Sequence, residues 1–463
     1  MNNQKKYKTV PGDRGNFLLG NVSEIQRQGI LQFYLDSWQK FGDIFRFYIG
    51  PKALYVVTNP YYVQHILVDS HQSYGKGAAY DGLKLLLGEG LFTSDGELWQ
   101  RQRRLMQPFF TENKIKKFGA AMSEATLQML ERWRPYVENG EALEITAEME
   151  RLTMSIIGQT MLSVDTGDRN TEIGQALKTG LTYIAQRATK LFNVPLFIPT
   201  ASNCPFKQAR NSIDKFIYNL IAERRHDSQQ QPKDLLSELL QARDDESGKG
   251  ISEKQLRDEI LTIFVAGSDT TTTALTWTWY LLSQYPEVKQ KLYAELETVL
   301  GGRTPTVEDI PRLKYTKMVI LESLRLYPPV WTIPRSTVKE DVVDGFHIPA
   351  NSTILISQYI AHRHPDFWPE PEKFEPERFT PENSKQRPTY AYFPFGGGPR
   401  TCLGIHFSML EAQLILATVA QRYELNLVPG HVVEAETVAQ LRPKYGLKMT
   451  LQNRIPSTLV ISQ

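Results

Sequence analysis

The sequence predicts a mainly α-helical protein with small β-sheets, in one large domain. A long central stretch, residues 97–300, carries one amphipathic helical pattern after another. Alternating, β-rich segments occur before this stretch and after it. No repeat, low-complexity tract or linker divides the 463 residues, a length that one large domain can hold. We therefore expect a single domain over residues 1–463 with sheets built from both ends.

Composition excludes several classes of protein. Hydrophobic residues are 41% and charged residues 22%, which is ordinary globular usage and excludes disorder as the main state. The net charge of +2 gives no general attraction to nucleic acid. Two cysteines cannot build a disulfide scaffold and suit a reducing compartment. Because no signal peptide or membrane-spanning stretch is apparent, we expect a cytoplasmic protein without a membrane span.

The first half of the chain begins with strands and continues with helices. Asp43–Thr58 alternates on both sides of Gly50-Pro51, which predicts a hairpin. Helical patterns follow, and the best defined cover Lys114–Arg134, Gln208–Asp227, Ser252–Tyr285 and Pro286–Leu300. Ser252 and Gln255 have capping-box spacing, and Pro286 ends the third of these helices.

Strand patterns return in the second half. Ser336–Tyr359 is predicted to form strands with a turn at Asp344-Gly345. A Pro-rich aromatic segment, residues 365–399, has no regular period and is expected to be ordered irregular chain. A helix is predicted from Cys402 to Gln421, and the tail, residues 441–452, is predicted to form a strand pair.

The most informative segment is the loop FGGGPRTCLG, Phe395–Gly404. Glycines allow close approach of the backbone to a bulky group, and N–H groups at a helix start stabilise a thiolate. A buried thiolate on such a loop is a haem iron ligand in some enzymes. A purely structural cysteine, a zinc site with His406 and a Cys–His nucleophile remain alternatives at this point.

The loop resembles the haem-binding signature of the cytochromes P450. Phe395, Gly398, Arg400, Cys402 and Gly404 fill every fixed position of F-x-x-G-x-R-x-C-x-G. The resemblance implies haem b as cofactor and Cys402 as the iron ligand. It also implies that the other four residues bind the cofactor.

A second motif lies in the middle of the helix predicted over Ser252–Tyr285. The run AGSDTTTT places glycine, a carboxylate and four threonines where a stable helix would avoid them. Threonines that hydrogen-bond to carbonyls and bend the helix are one explanation. AGSDTT also resembles the oxygen-activation motif of the P450 family. That resemblance implies catalytic roles for Asp269 in proton relay and for Thr270 at the bound oxygen, with Ala266 and Gly267 beside the haem.

Further motifs occur in the order that the family has them. Glu322 and Arg325 match its E-x-x-R helix motif, and Arg378 in PERF supplies the third member of a supporting cluster. Cofactor-binding residues that would face the haem propionates are, by resemblance, Trp99, Arg103, Arg335, His362 and Arg400. The expected role of the Glu–Arg–Arg cluster is to hold the cysteine loop in position.

The resemblance covers nearly the whole chain and implies a monooxygenase that uses O₂ and a hydrophobic substrate. No reductase motif or length remains, so electrons are expected from a separate ferredoxin or flavodoxin with its reductase. The protein is expected to be a monomer. A basic docking patch is predicted for the electron donor, made of Arg101, Arg104, Lys114, Lys116 and Lys117. A solvated helix face is the alternative for the lysines.

The substrate is expected to be a long-chain fatty acid, hydroxylated far from its polar end. Terpenoids, retinoids and steroids are alternative substrates. A peroxygenase or isomerase and a non-catalytic binding protein are alternative functions. Lys52 is a candidate partner for the carboxylate. The predicted pocket residues are apolar or small: Leu261, Val265, Val330, Trp331, Thr332 and Ile333.

Overall fold

The computed structural model describes residues 7–164, 169–188, 193–226, 234–244, 246, 248–437 and 440–454. These residues are mostly helical, and their strands form four small sheets. The predicted fold class is therefore confirmed.

The helices are numbered in chain order. They are α1 Val22–Gln28, α2 Ile30–Phe41, α3 Pro60–Gln64, α4 Asp81–Leu87, α5 Gly96–Met106, α6 Glu112–Ile115, α7 Gly119–Asn139, α8 Ile145–Met161, α9 Arg169–Ala188, α10 Asn203–His226, α11 Leu235–Gln241, α12 Glu253–Gln284, α13 Pro286–Leu300, α14 Lys314–Leu326, α15 Gln358–Ala361, α16 Pro381–Ser384 and α17 Ile405–Arg422.

The strands are shorter than most of the helices. They are β1 Lys8–Thr9, β2 Ile44–Ile49, β3 Lys52–Val57, β4 Tyr74–Gly75, β5 Leu143–Glu144, β6 Thr332–Thr337, β7 Asp341–Val343, β8 Phe346–Ile348, β9 Thr353–Ser357, β10 Tyr423–Leu427, β11 Ala435–Thr437, β12 Leu441–Pro443 and β13 Lys448–Asn453.

The chain divides into two compact units. The first comprises Met1–Asp81, Leu324–Lys373 and Arg378–Cys402. Its main sheet has the order β2-β3-β9-β6-β4, and a smaller sheet has the order β1-β8-β7. β2 and β3 form the predicted antiparallel hairpin, and β3 also pairs with β9 in parallel. Sheets built from both ends of the chain are therefore confirmed in this unit.

The second unit comprises Gly82–Ser323, Phe374–Glu377 and Leu403–Gln463. Within it, α12 packs on α8, α17 on α7 and α10 on α9. Two small sheets, with orders β10-β13-β5 and β11-β12, belong to the same unit. The organisation of residues 1–463 as one undivided domain stays a prediction.

The helix boundaries differ from the sequence prediction at three places. α10 begins at Asn203, five residues before Gln208. α7 begins five residues later than Lys114 and runs on through Pro135 to Asn139, where Gly140 adopts φ 66° and ends it. α17 begins at Ile405, so the prediction that a helix starts at Cys402 is wrong. Gly398–Arg400 instead forms a tight turn before the cysteine. The dipole of α17 therefore starts three residues beyond Cys402.

The tail also pairs differently from the prediction. β12 pairs with β11, whereas β13 pairs with β10 and β5. The two strands are separated by a turn in which Gly446 has φ 67° and its N–H bonds to the Pro443 carbonyl. A strand pair between β12 and β13 is therefore wrong, although both strands exist.

The N-terminus of α12 has one of the two hydrogen bonds of the predicted capping box. The Ser252 hydroxyl accepts from the Gln255 N–H at 3.2 Å. The Gln255 side chain instead accepts from the Arg101 guanidinium at 3.3 Å. Among the residues that the structure describes, no helix has the length and apolar character needed to span a bilayer.

Candidate active site

Backbone N–H groups of the cysteine loop hold it in place within the first unit. The Cys402 N–H donates to the Phe395 carbonyl at 2.9 Å, which closes the loop at its two ends. The Gly398 N–H donates to the Tyr390 hydroxyl at 3.2 Å. Gly396 and Gly398 have φ of 71° and 65°, a region that other residues enter at a cost. The glycines therefore serve a tight, fixed loop rather than a flexible one.

Gly398 also lies directly on the chain around Leu67. A Cβ atom added there would overlap the Leu67 carbonyl oxygen. Because the obstacle is backbone, no side-chain movement can relieve it. The signature position filled by Gly398 is thus required by packing within this unit.

We predict that Gly398→Ala destabilises the protein and lowers its haem content. The left-handed conformation alone costs an alanine about 1–2 kcal/mol, and the overlap with Leu67 adds to this. Urea unfolding midpoints and the haem-to-protein ratio measure the two effects. Gly430→Ala is the matched control, since Gly430 has φ 78° with open space around it. Equal effects of the two substitutions would contradict this account of Gly398.

Arg325 organises the chain that precedes the loop. Its guanidinium is fully buried and donates to the carbonyls of His362, Pro371 and Lys373 at 2.7–3.0 Å. Three bonds to one rigid donor fix the irregular segment that the sequence predicted to be ordered. Arg378, also buried, donates to the Glu370 carbonyl at 3.0 Å.

His362 continues this network toward the loop. Its Nε2 accepts from the Phe393 N–H at 2.9 Å, two residues before the loop begins. Burial, together with the charges of Arg325 and Arg363, lowers the pKa of His362 well below its usual value. The imidazole is therefore a neutral acceptor and not a cation. This bond ties His362 to the chain just before the cysteine loop, and its predicted place among the propionate ligands stays a prediction.

The other half of the E-x-x-R motif lies in the second unit. Glu322 is fully buried, and its Oε1 accepts from the Glu375 N–H at 2.9 Å. The segment that contains Glu375 precedes PERF directly. Both Glu322 and Arg325 lie on α14, and both bond to backbone of the irregular segment. Their role in holding the cysteine loop stays a prediction.

Arg335 on β6 is a buried cation. It is only 6% exposed, and its recorded bond runs to the neighbouring Pro334 carbonyl at 2.9 Å. No carboxylate of the described residues forms an ion pair with it. A buried guanidinium without an anion is costly, so this position suits an anionic ligand group.

The remaining predicted cofactor residues occupy less buried positions. Trp99 and Arg103 lie one turn apart on α5 and are both half-buried. Phe395 and Arg400 of the loop are also half-buried, and Gly404 is the residue before α17. Arg103 Nε donates to Gln107 at 3.3 Å.

The middle of α12 carries the second motif. Thr270 Oγ1 donates to the Ala266 carbonyl at 2.8 Å, and Thr271, Thr276 and Thr278 bond back in the same way. The back-bonding considered for these threonines is therefore real, yet α12 continues without interruption. Ala266 is exposed and Thr270 half-exposed in a helix whose other faces are largely buried.

Gly267 has a different surrounding from the one expected. A Cβ atom there would lie 2.5 Å from Ile157 Cδ1 on α8. The glycine therefore allows α12 and α8 to approach closely, and Thr153 on α8 hydrogen-bonds to Thr272 at 2.8 Å nearby. The obstacle is the end of one side chain, so packing favours glycine here without requiring it, and the predicted place of Gly267 among the cofactor residues stays a prediction.

The pKa of the Asp269 carboxyl group lies closer to neutral pH than that of an ordinary aspartate. Burial, and secondly the nearby charge of Glu150, raises the pKa of Asp269 to about 6. Arg442 and a hydrogen bond from Gln440 act in the opposite direction. The Gln440 amide donates to Asp269 Oδ2 at 2.6 Å. A carboxyl with this pKa exists in both protonation states near pH 6, which is what a proton relay needs.

The predicted pocket residues have differing environments. Leu261 on α12 is 1% exposed, while Val265, Val330 and Thr332 are half-buried. The Trp331 ring packs on Tyr34 with centroids 5.7 Å apart, within the core of the first unit. Ile333 is 8% exposed and belongs to another core cluster of that unit. Packing therefore accounts for Trp331 and Ile333 without a substrate.

The predicted docking patch is mostly neutralised. Arg101 donates to the Gly250 carbonyl at 2.9 Å, and Arg104 pairs with Glu246 at 2.9 Å. Lys114 pairs with Glu238 and Lys116 with Glu112, both at 2.8 Å. These basic residues mainly join neighbouring segments of the second unit, which weakens the expectation of a cationic surface for an electron donor.

Two polar residues with unusual environments were missed in the sequence. Gln440 has no local pattern that links it to Asp269, which is far away in the chain. Glu411 is fully buried on α17, and burial raises the pKa of this carboxyl well above its usual value. A lone carboxylate in the apolar run LEAQLILA was an available signal for Glu411.

Comparison with known proteins identifies the family. The cytochrome P450 family model matches residues 10–450. Cyclooctatin synthase of Streptomyces melanosporofaciens is 34% identical, over 96% of this chain and 94% of its own length. Cyclooctat-9-en-7-ol 5-monooxygenase of the same organism is 36% identical, over 91% and 90%. The crystal structure of the cytochrome P450DA heme domain superposes with a TM-score of 0.89 at 24% identity, over 97% of this chain and 99% of that one.

The family match extends far beyond the two motifs that first suggested it. It covers nearly the whole chain, and two relatives exceed 30% identity over nine-tenths of it. The chain belongs to the cytochrome P450 family of haem b monooxygenases.

Proposed function

We propose that this P450 inserts one oxygen atom of O₂ into an unactivated C–H bond of a cyclic terpenoid. The observation that carries the proposal is the 34–36% identity to two Streptomyces enzymes named for cyclooctatin and cyclooctat-9-en-7-ol. A fatty acid was our first expectation and a terpenoid the alternative. The relatives favour the alternative, so the fatty acid becomes the competing outcome of the test.

The chemistry of the proposed pocket suits a ring compound. The predicted pocket residues Leu261, Val265 and Val330 are all aliphatic and uncharged. Each CH₂ group transferred from water to such surface contributes about 0.8 kcal/mol. A fused-ring hydrocarbon has few torsions to freeze on binding, so it keeps more of that gain than a long flexible chain does.

The residues present fit a haem. We assign Cys402, which forms no disulfide, as the iron ligand, and Arg335 as a partner for a propionate. Trp99, Arg103 and Arg400 are further candidates for the propionates. When bound through a thiolate, haem supplies the O–O bond cleavage that oxygen insertion requires. The chain's part is to hold the thiolate on a rigid loop and to provide protons and orientation.

Asp269 and Thr270 are assigned to proton delivery. In this proposal the Asp269 carboxyl gives up a proton and regains it from solvent, because its raised pKa keeps both forms populated near pH 6. The Thr270 hydroxyl bonds to the Ala266 carbonyl in the structure, and rotation of the side chain would let it donate to the O₂ substrate instead. Electrons would come from a separate ferredoxin or flavodoxin.

We predict that cyclic terpenoid alcohols shift the spin state of the ferric Soret band and that saturated fatty acids do so weakly or not at all. The reason is the aliphatic, uncharged character of the assigned pocket residues. A titration with both classes at equal carbon number measures the two affinities. Lys52→Ala is the control, since Lys52 is exposed at the start of β3 and could only assist a carboxylate.

If fatty acids are the substrates, the opposite result is expected. If affinity rises steadily with fatty-acid length, and Lys52→Ala weakens binding of the acids but not of their alcohols, the terpenoid assignment is wrong. The family assignment would be unaffected by that result.

A further inference from the structure

Gln440 connects the tail of the chain to the middle of α12. Its Nε2 donates to Asp269 Oδ2 at 2.6 Å, and its Oε1 accepts from Thr273 Oγ1 at 2.9 Å. Asp269 and Thr273 are one helical turn apart, so a single amide bridges both. Gln440 directly precedes β12, and Trp277 on α12 donates to the Leu441 carbonyl at 2.8 Å. Both the side-chain amide of Gln440 and the backbone next to it are therefore bonded to α12.

The other charged groups around Asp269 do not replace this bond. Glu150 on α8 opposes ionisation of Asp269 and Arg442 on β12 favours it. Arg442 is exposed and pairs with Glu436 at 2.9 Å, which divides its charge between two acids. Among the described residues, Gln440 supplies the hydrogen bond recorded for the Asp269 carboxylate. Its loss would leave a largely buried carboxyl without that donor.

An amide and a hydroxyl together can serve either protonation state of an acid. An ionised carboxylate only accepts, so Gln440 must present its NH₂ group to Asp269, and its carbonyl then accepts from Thr273. A protonated Asp269 can donate. The amide can then rotate to present its carbonyl, while the Thr273 hydroxyl reverses from donor to acceptor. Each group keeps a partner in both states, and no new residue is needed.

We propose that Gln440 is a positioning residue that keeps Asp269 hydrogen-bonded, and fixed in direction, before and after it releases its proton. The inference rests on the proposed role of Asp269 in proton delivery. Gln440 need not touch the oxygen or the substrate. Its action passes through Asp269, with Thr273 as the second anchor of the amide.

The test uses the haem-loaded enzyme with substrate and electron donor. Gln440→Leu should lower product formed per NAD(P)H consumed by about tenfold, the size of one lost hydrogen bond to a charged group. Gln440→Glu should approach wild type near pH 5, where a protonated carboxyl can replace the amide. Near pH 8 its charge opposes that of Asp269, so it should be as poor as Gln440→Leu. Gln452→Leu, on the exposed side of β13, is the matched control and should change nothing.

A second readout does not depend on turnover. The infrared carboxyl band that Asp269→Asn removes should titrate at higher pH in Gln440→Leu than in wild type, because the amide bonds more strongly to the ionised carboxylate than to the neutral acid and that difference is lost. Thr273→Val should move the band the same way by a smaller amount. Thr276→Val is its control, since that hydroxyl bonds to the Thr272 carbonyl of its own helix.

The possible failures are distinguishable. If Asp269→Asn itself leaves product yield unchanged, the proposed function of Asp269 is wrong. If Asp269→Asn lowers the yield while Gln440→Leu changes neither the yield nor the titration of the band, the inference about Gln440 is wrong. Should Gln440→Leu fail to fold, Thr273→Val and Gln440→Glu carry the same test.

Discussion

Asp269→Asn is expected to lower the rate of product formation by about 10²–10⁴-fold while leaving haem binding and substrate affinity close to those of the wild type. The amide keeps the shape of the carboxyl and its contact with Gln440, but it cannot release a proton. Stopped-flow spectroscopy together with product analysis separates a slow proton step from weak binding. A matched change is Glu253→Gln, an exposed acid in the first turn of α12, which should have no effect.

The pH dependence of the wild type follows from the same residue. Because the pKa of Asp269 is raised to about 6, the fraction able to donate a proton falls as pH rises through 6. Product yield per O₂ consumed should therefore decline from pH 5 to pH 8. Asp269→Asn should have a low yield that no longer depends on pH over this range. An unchanged slope in the variant would assign the titration to another group.

Much of the fold was predictable because its signals are local. The β2–β3 hairpin is set by alternation on both sides of Gly50-Pro51, and α12 by Ser252 at its start and Pro286 after its end. Where tertiary packing decides, prediction failed. α7 continues through Pro135, since Trp133 and the preceding apolar residues of the helix are buried within the second unit. β13 pairs with β10 and β5, which neither its sequence nor its neighbours indicate.

The site residues divide along the same line. The candidates Cys402, Asp269 and Thr270 lie in short motifs and can be proposed from the sequence alone. Long-range contacts cannot: Gln440 reaches Asp269, and Phe393 reaches His362, across long stretches of chain. The lowered pKa of His362 could not be predicted either, because its burial beside Arg325 and Arg363 appears only when the chain is folded.

The largest expected effect is that of Cys402→Ser. A serine hydroxyl is not deprotonated at neutral pH and is a poor ligand for haem iron, whereas a thiolate is a strong one. The variant should fold, because Cys402 contributes its N–H to the loop through a bond to Phe395 that serine can also make. We expect little or no bound haem and complete loss of product. Cys204→Ser, at an exposed cysteine on α10, should retain both.

The carbon monoxide difference spectrum of the reduced protein tests the central claim, that Cys402 binds the haem iron as a thiolate. We predict a thiolate-type spectrum for the wild type and for Cys204→Ser, and its absence in Cys402→Ser. A thiolate-type spectrum that survives in Cys402→Ser, or that Cys204→Ser removes, would contradict the claim.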